Sequence, residues 1–127
     1  MSSAAAIVDE FIRRVTSDDL DGALGLVTAD VEYDNVPVGK NIGPEAMRSF
    51  LGQMTAGIDE VEFIVHRQDA AGSTVLNERS DRFRMGDKWL DLPVAGVFEV
   101  NDDGLITLWR DYFDMAMFTD QLTAILS

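Results

Sequence analysis

The sequence predicts an α+β domain in which an antiparallel sheet curves over N-terminal helices and leaves a one-ended pocket. Two observations predict it. Apolar residues recur at helical spacing up to Gly57, alternate with a period of two from there to Asp114, and return to helical spacing in the last segment. The alternating stretch divides into about four long strands joined by Gly-containing turns, a meander of the kind that builds antiparallel sheets with helices on one face. A sheet that curves over the helices buries both apolar sets. Residues 1–127 therefore read as one domain, with no linker, repeat or low-complexity stretch, and are long enough to form a core without staples.

Each element follows from its own residues. Ile7, Val8, Phe11, Ile12 and Val15 mark an amphipathic helix over residues 3–15, and Ser17-Asp18-Asp19 offers an N-cap for a short second helix carrying Leu20, Ala23, Leu24 and Val27. Val31, Tyr33 and Asn35 alternate with Glu32, Asp34 and Val36 in a short strand or extended loop, broken by Pro37 and Gly39. A third helix starts at Gly43-Pro44-Glu45 and shows Met47, Phe50, Leu51 and Met54 on one face. Val61, Phe63 and Val65 open the sheet proper, followed by strands over residues 74–85, 89–100 and 105–114. Asn101-Asp102-Asp103-Gly104 is the clearest hairpin signal. Met115, Phe118, Leu122 and Ile125 close the chain as a helix.

Composition narrows the chemistry. With 10 basic and 23 acidic side chains the net charge is −13, which repels nucleic acid and anionic membranes, so neither is an expected partner. A hydrophobic content of 46% is too high for a disordered acidic tail. Cysteine is absent, which excludes disulfides, thiolate metal sites and cysteine nucleophiles. The one histidine, His66, lies in a strand and reads as structural or exposed, so Ser-His-Asp and multi-histidine sites are excluded. Neither a metal nor a cofactor is expected. Residues 1–7 have neither the basic nor the apolar stretch of a signal peptide, and a cytoplasmic location is expected.

Polar residues fall on faces where they cost energy. On the strand over 74–85, Val75, Asn77, Arg79, Asp81 and Phe83 share the drier face. On the last strand Leu105, Thr107, Trp109, Asp111 and Phe113 share another, leaving Ile106 and Leu108 opposite. Strand Asp and Arg residues usually form solvated cross-strand pairs. Two carboxylates and one guanidinium on apolar faces of different strands point elsewhere. One Arg neutralises one carboxylate, and the cluster relieves the excess charge by holding a proton. At 4 Å and an effective dielectric near 20, each charge pair is worth about 4 kcal/mol before desolvation, enough to separate the two carboxyls into an acid and a base.

Three segments resemble the limonene-1,2-epoxide hydrolase family, within the nuclear-transport-factor-2-like (cystatin-like, polyketide-cyclase-like) fold: Tyr33-Asp34-Asn35-Val36-Pro37, Glu78-Arg79-Ser80-Asp81, and Gly96-Val97-Phe98-Glu99 with Trp109-Arg110-Asp111-Tyr112-Phe113-Asp114. The resemblance implies a highly curved, mixed but mostly antiparallel sheet wrapped around the N-terminal helices to form a one-ended conical pocket, and hydrolysis of a small hydrophobic epoxide by water, without a covalent intermediate. It implies Asp111 as base, Tyr33 and Asn35 as holders of the attacking water, Asp81 as acid, and Arg79 as the bridge between the carboxylates. Leu24, Leu51, Val65, Phe83, Leu90, Leu92, Val94, Phe113 and Phe118 would form apolar pocket walls, with Trp109 either a wall beside Asp111 or plain core packing. A homodimer formed through the outer sheet face is expected from the fold. Two other readings stand beside this one: a polyketide cyclase or proton-shuffling isomerase with Tyr33 polarising a carbonyl, and a binding module in which the charged cluster is structural.

Overall fold

Ser3 begins the first helix, its hydroxyl accepting the Ala6 backbone N–H at 3.1 Å, and the helical spacing of Val8, Phe11 and Ile12 turns one face of α1 (Ala4–Thr16) into the core. The computed structural model describes residues 3–127, so the first two residues of the expected domain span lie outside the described ones. Asp19 caps α2 (Leu20–Leu24), Pro44 opens α3 (Pro44–Met54) at a position where its missing N–H costs nothing, and Asp114 caps α4 (Met115–Leu126).

Six strands form one sheet: β1 (Val27–Asn35), β2 (Gly39–Ile42), β3 (Glu60–Ala71), β4 (Thr74–Met85), β5 (Lys88–Val100) and β6 (Ile106–Tyr112). Their order is β2-β1-β6-β5-β4-β3, antiparallel throughout except for the parallel pair β1–β6. The mixed, mostly antiparallel sheet is as expected, with α1 packed beneath β3, β4 and β5. Phe11 meets Trp109 edge-on at 5.2 Å and Phe98 at 6.5 Å, so the helix and the sheet centre share one core. Each of these buried side chains contributes about 2 kcal/mol of hydrophobic stabilisation.

Three local expectations change. Val27 belongs to β1 and not to α2, because Gly25 ends the helix and the Val27-Thr28 pair favours an extended backbone. The Pro37–Lys40 stretch hides the start of β2, whose four largely exposed residues carry no apolar alternation. Ile106, assigned from alternation to the wetter face, is fully buried in the core, while Leu105 precedes β6. A register shift beside Val100, which pairs with Ile106 while Glu99 pairs with Leu108, puts Ile106 and Trp109 on the same side.

Candidate active site

The β4 strand carries Arg79 and Asp81 two residues apart, so both side chains enter the concave face, and the β6 strand brings Asp111 to meet them. Arg79 Nε donates to Asp81 Oδ1 at 2.9 Å and Nη2 to Asp81 Oδ2 at 3.0 Å. The same Nη2 donates to Asp111 Oδ2 at 2.8 Å. One guanidinium thus clasps both carboxylates, with Arg79 at 1%, Asp81 at 5% and Asp111 at 3% exposure. Arg79 also stacks over the Phe63 ring at 5.1 Å. The indole N–H of Trp109 donates to Asp111 Oδ1 at 2.8 Å.

The parallel β1–β6 ladder sets Tyr33 opposite Trp109 and Asn35 opposite Asp111. The Tyr33 and Trp109 rings stack with centroids 4.3 Å apart. Burial, reinforced by the Asp111 charge, holds the Tyr33 phenol protonated well above the usual tyrosine range, with the Asn35 side chain pulling the other way. The Asn35 Nδ2 group is buried near the Tyr33 phenol but makes no well-formed hydrogen bond among the described residues. A buried donor of this kind is uncommon and marks a place for a ligand or a solvent molecule.

Burial pushes Asp81 up to about 6 against the pull of Arg79, with the Asp111 charge adding to the rise. Burial also raises Asp111, opposed by Arg79 and by the Trp109 indole. Arg79 stays protonated, since the two carboxylates outweigh its own burial. Two carboxyls raised together around one cation titrate as a pair, so the second ionises against the charge left by the first.

Apolar cavities open beside the cluster, at Phe83, two residues beyond Asp81 on β4, and at Phe113, just past the end of β6. One of about 420 Å³ is lined by Met54, Ile58, Phe83, Leu90, Phe118 and Leu122, among others. A second of about 270 Å³ shares Met54, Phe83 and Phe118 with it and adds Leu92 and Phe113. Of the expected walls, Phe83, Leu90, Leu92, Phe113 and Phe118 line these spaces, and Val94 is buried in the same cluster. Three others do not. Leu24 packs against the α1 side of the core, Leu51 faces that core and a separate cavity near Val15, and Val65 is 37% exposed. Val65 does share a face with Arg79, its register partner, but β3 is the sheet edge and little covers it there. Alternation sorts residues to a face without saying how far along the strand the cone closes.

Trp109 serves as both core and support, being 1% exposed and bonded to Asp111. His66 is exposed, with Nε2 at 2.7 Å from Ser80 Oγ. Among the described residues no group of three or more His, Asp or Glu is placed to hold a metal ion, and no helix is long and apolar enough to cross a membrane.

Gly96 was not among the expected site residues. It pairs with Asn77 on one side and Asp111 on the other, and a Cβ built there would overlap Arg79 Nη1 while standing 2.8 Å from Asn77 Oδ1 and 3.0 Å from Asp111 Oδ1. The guanidinium occupies the space a side chain would need. A glycine in the middle of an apolar strand was the available signal.

A curved α+β cone around an Asp, Arg, Asp cluster defines the class first: a nuclear-transport-factor-2-like domain with a buried ion-pair cluster. A solved putative SnoaL-like polyketide cyclase from Shewanella putrefaciens matches it with a TM-score of 0.86 over 98% of both chains, but at 18% identity that is a likeness of fold alone. A solved LEH-like epoxide hydrolase from M. tuberculosis matches with a TM-score of 0.80 and 33% identity, over 97% of this chain and 94% of that one. Epoxide hydrolase EphG from Mycobacterium tuberculosis is 37% identical over 108 residues, 85% of this chain and 71% of the relative. The family model of the limonene-1,2-epoxide hydrolase catalytic domain matches residues 2–124. The chain belongs to the limonene-1,2-epoxide hydrolase family and is an epoxide hydrolase of that family.

Proposed function

We propose that this enzyme adds water to a hydrophobic epoxide in one acid/base step and releases a vicinal diol. Asp111 is the base. It lies opposite Asn35 and beside Tyr33, the two groups suited to hold a water, and its anion is stabilised by separate donors on its two oxygens. Asp81 is the acid, next along β4 to Phe83 and opposite Leu92, where the apolar cavities begin. The water oxygen attacks an epoxide carbon and gives a proton to Asp111, the ring carbon–oxygen bond breaks, and Asp81 protonates the released oxygen. The atoms balance, and the net change on the protein is one proton moved from Asp81 to Asp111 across Arg79.

The single observation that carries this reading is the two-sided clasp of Arg79 on both carboxylates, with the unpartnered Asn35 amide beside Asp111. It keeps acid and base in place on either side of a reacting ring. A cyclase or isomerase site that enolises a carbonyl has no use for a cation held between two acids. The test is turnover of cyclohexene oxide and styrene oxide by the wild type and by Asp111→Asn, in labelled water. Diol formed by the wild type, with the labelled oxygen appearing in one diol hydroxyl in a single turnover, and no diol from the variant, is the expected result. Label appearing first in a protein carboxylate, or no diol from any epoxide, would contradict it.

The same reading has two copies pairing through the convex face, where Ile64, Leu76 and Tyr112 are exposed between the Arg67–Glu78 and Arg110–Glu32 ion pairs. A two-fold axis there would bury these apolar residues against their copies. Light scattering checks it, and a monomer at high concentration would contradict it.

A further inference from the structure

Asn77 is buried two residues before Arg79 on β4, and hydrolysis as described does not use it. Its Oδ1 accepts from Arg79 Nη1 at 2.9 Å, and its Nδ2 donates to Gln68 Oε1 at 3.1 Å. Gln68 Nε2 in turn donates to Asp9 Oδ1 at 2.9 Å. The two ends set the direction of this chain, because a guanidinium only donates and a carboxylate only accepts. Each amide between them has one orientation that satisfies both neighbours. Turning either amide over would set donor against donor at one contact and acceptor against acceptor at the other.

We propose that Asn77 is a positioning residue for epoxide hydrolysis: held oxygen-first against Arg79 by Gln68 and Asp9, it sets where the guanidinium stands between Asp81 and Asp111. The inference rests on the acid/base reading of that pair. The Nε and Nη2 side of Arg79 is spent on the carboxylates, and its Nη1 side would be a buried donor without the Asn77 oxygen. A neutral carboxamide satisfies that donor without placing a third anion on one cation. Gly96 leaves the room for both groups to lie flat against β5. The chain also ties the site to α1 through β3, so the guanidinium is anchored from the side away from the carboxylates. The charged and titratable groups that face Asn77 or its partner Arg79 are Asp81 from β4, Asp111 from β6 and Tyr33 from β1, while Asp9 of α1 acts through Gln68.

The test uses the full chain with two variants, Asn77→Ala and the near-isosteric Asn77→Asp, and two readouts. Hydrolysis of cyclohexene oxide is measured across pH, and the side-chain carboxyls of Asp81 and Asp111 are titrated by carbon NMR, which needs no turnover. For Asn77→Ala, kcat is expected to fall about tenfold while KM moves less than about threefold. For Asn77→Asp, both carboxyl titrations are expected to move upward by about one pH unit, because the new anion competes for Arg79. Adding Asp9→Asn to Asn77→Asp lets position 9 donate and Gln68 turn over, and is expected to recover about threefold of the lost kcat. If Asn77→Ala does not fold, Asn77→Asp carries the test alone. A folded Asn77→Asp with kcat and carboxyl titrations unchanged from the wild type overturns the inference. Absence of turnover in the wild type overturns the hydrolase reading instead, and the carboxyl titrations then decide the role of Asn77.

Discussion

Trp109 and Asp111 stand two residues apart on β6, and the indole N–H of the first donates to Oδ1 of the second at 2.8 Å. The same ring stacks on Tyr33 at 4.3 Å and on Phe98 at 5.9 Å, so one side chain builds the core and stabilises the proposed base. Trp109→Phe keeps an aromatic ring and removes the donor. A hydrogen bond to a buried anion is worth about 1.5–3 kcal/mol, so kcat/KM is expected to fall about tenfold to a hundredfold and its acid limb to move to higher pH. An unchanged acid limb in the folded variant would show that the indole does not act on Asp111.

Gly96 makes a second demand on the same cluster. Gly96→Ala places a methyl group where Arg79 Nη1 lies, and β5 is an inner strand that cannot bow outward freely. Stability is expected to drop by about 1–3 kcal/mol, with the loss of activity larger than the loss of folded protein. Urea denaturation alongside single-turnover hydrolysis measures the two separately, and wild-type values in both would mean the guanidinium has room to spare.

The rate should depend on pH as a shared proton requires. The proposed step needs one carboxyl protonated and the other ionised, so kcat/KM is expected to rise as the pair loses its first proton and to fall as it loses its second. Because Asp81 is pushed up to about 6, the falling limb is expected well above the ordinary carboxylate range. A pH profile flat through this region would remove Asp81 from the role of acid.

Stability should carry the same signature with a definite sign. The folded pKa of Asp81 is raised from 3.8 to about 6, so between those values the folded protein holds a proton that the unfolded chain releases. The protonated form therefore stabilises at low pH, and that contribution is lost as pH rises through the folded value. Asp81→Asn removes this dependence. Its Tm relative to the wild type is expected to become more favourable from pH 4 to pH 7, as scanning calorimetry would show; a constant difference would contradict the raised value.

Much of the site was legible along single strands. Alternation alone puts Arg79, Asp81 and Phe83 on one face and Trp109 with Asp111 on another, and the cost of burying charge marks them as a site. Trp109 to Asp111 spans two residues, well within the reach of a local rule. Arg79 to Asp111 spans 32 residues in sequence, and nothing local says that β5 separates their strands with a glycine between them.

The sequence by itself determined most of the elements, the antiparallel meander, and the face on which each polar group of the cluster lies, because side-chain direction follows from backbone period. Tertiary structure alone decided the parallel β1–β6 register that sets Asn35 opposite Asp111, the shift that buries Ile106, and the Asn77 contact to Arg79. It also decided that Val65 remains open while Met54 lines the cavities. A tight turn and the hydrophobic pattern fix register between neighbouring strands, whereas β1 and β6 lie at opposite ends of the chain with no turn between them to set theirs.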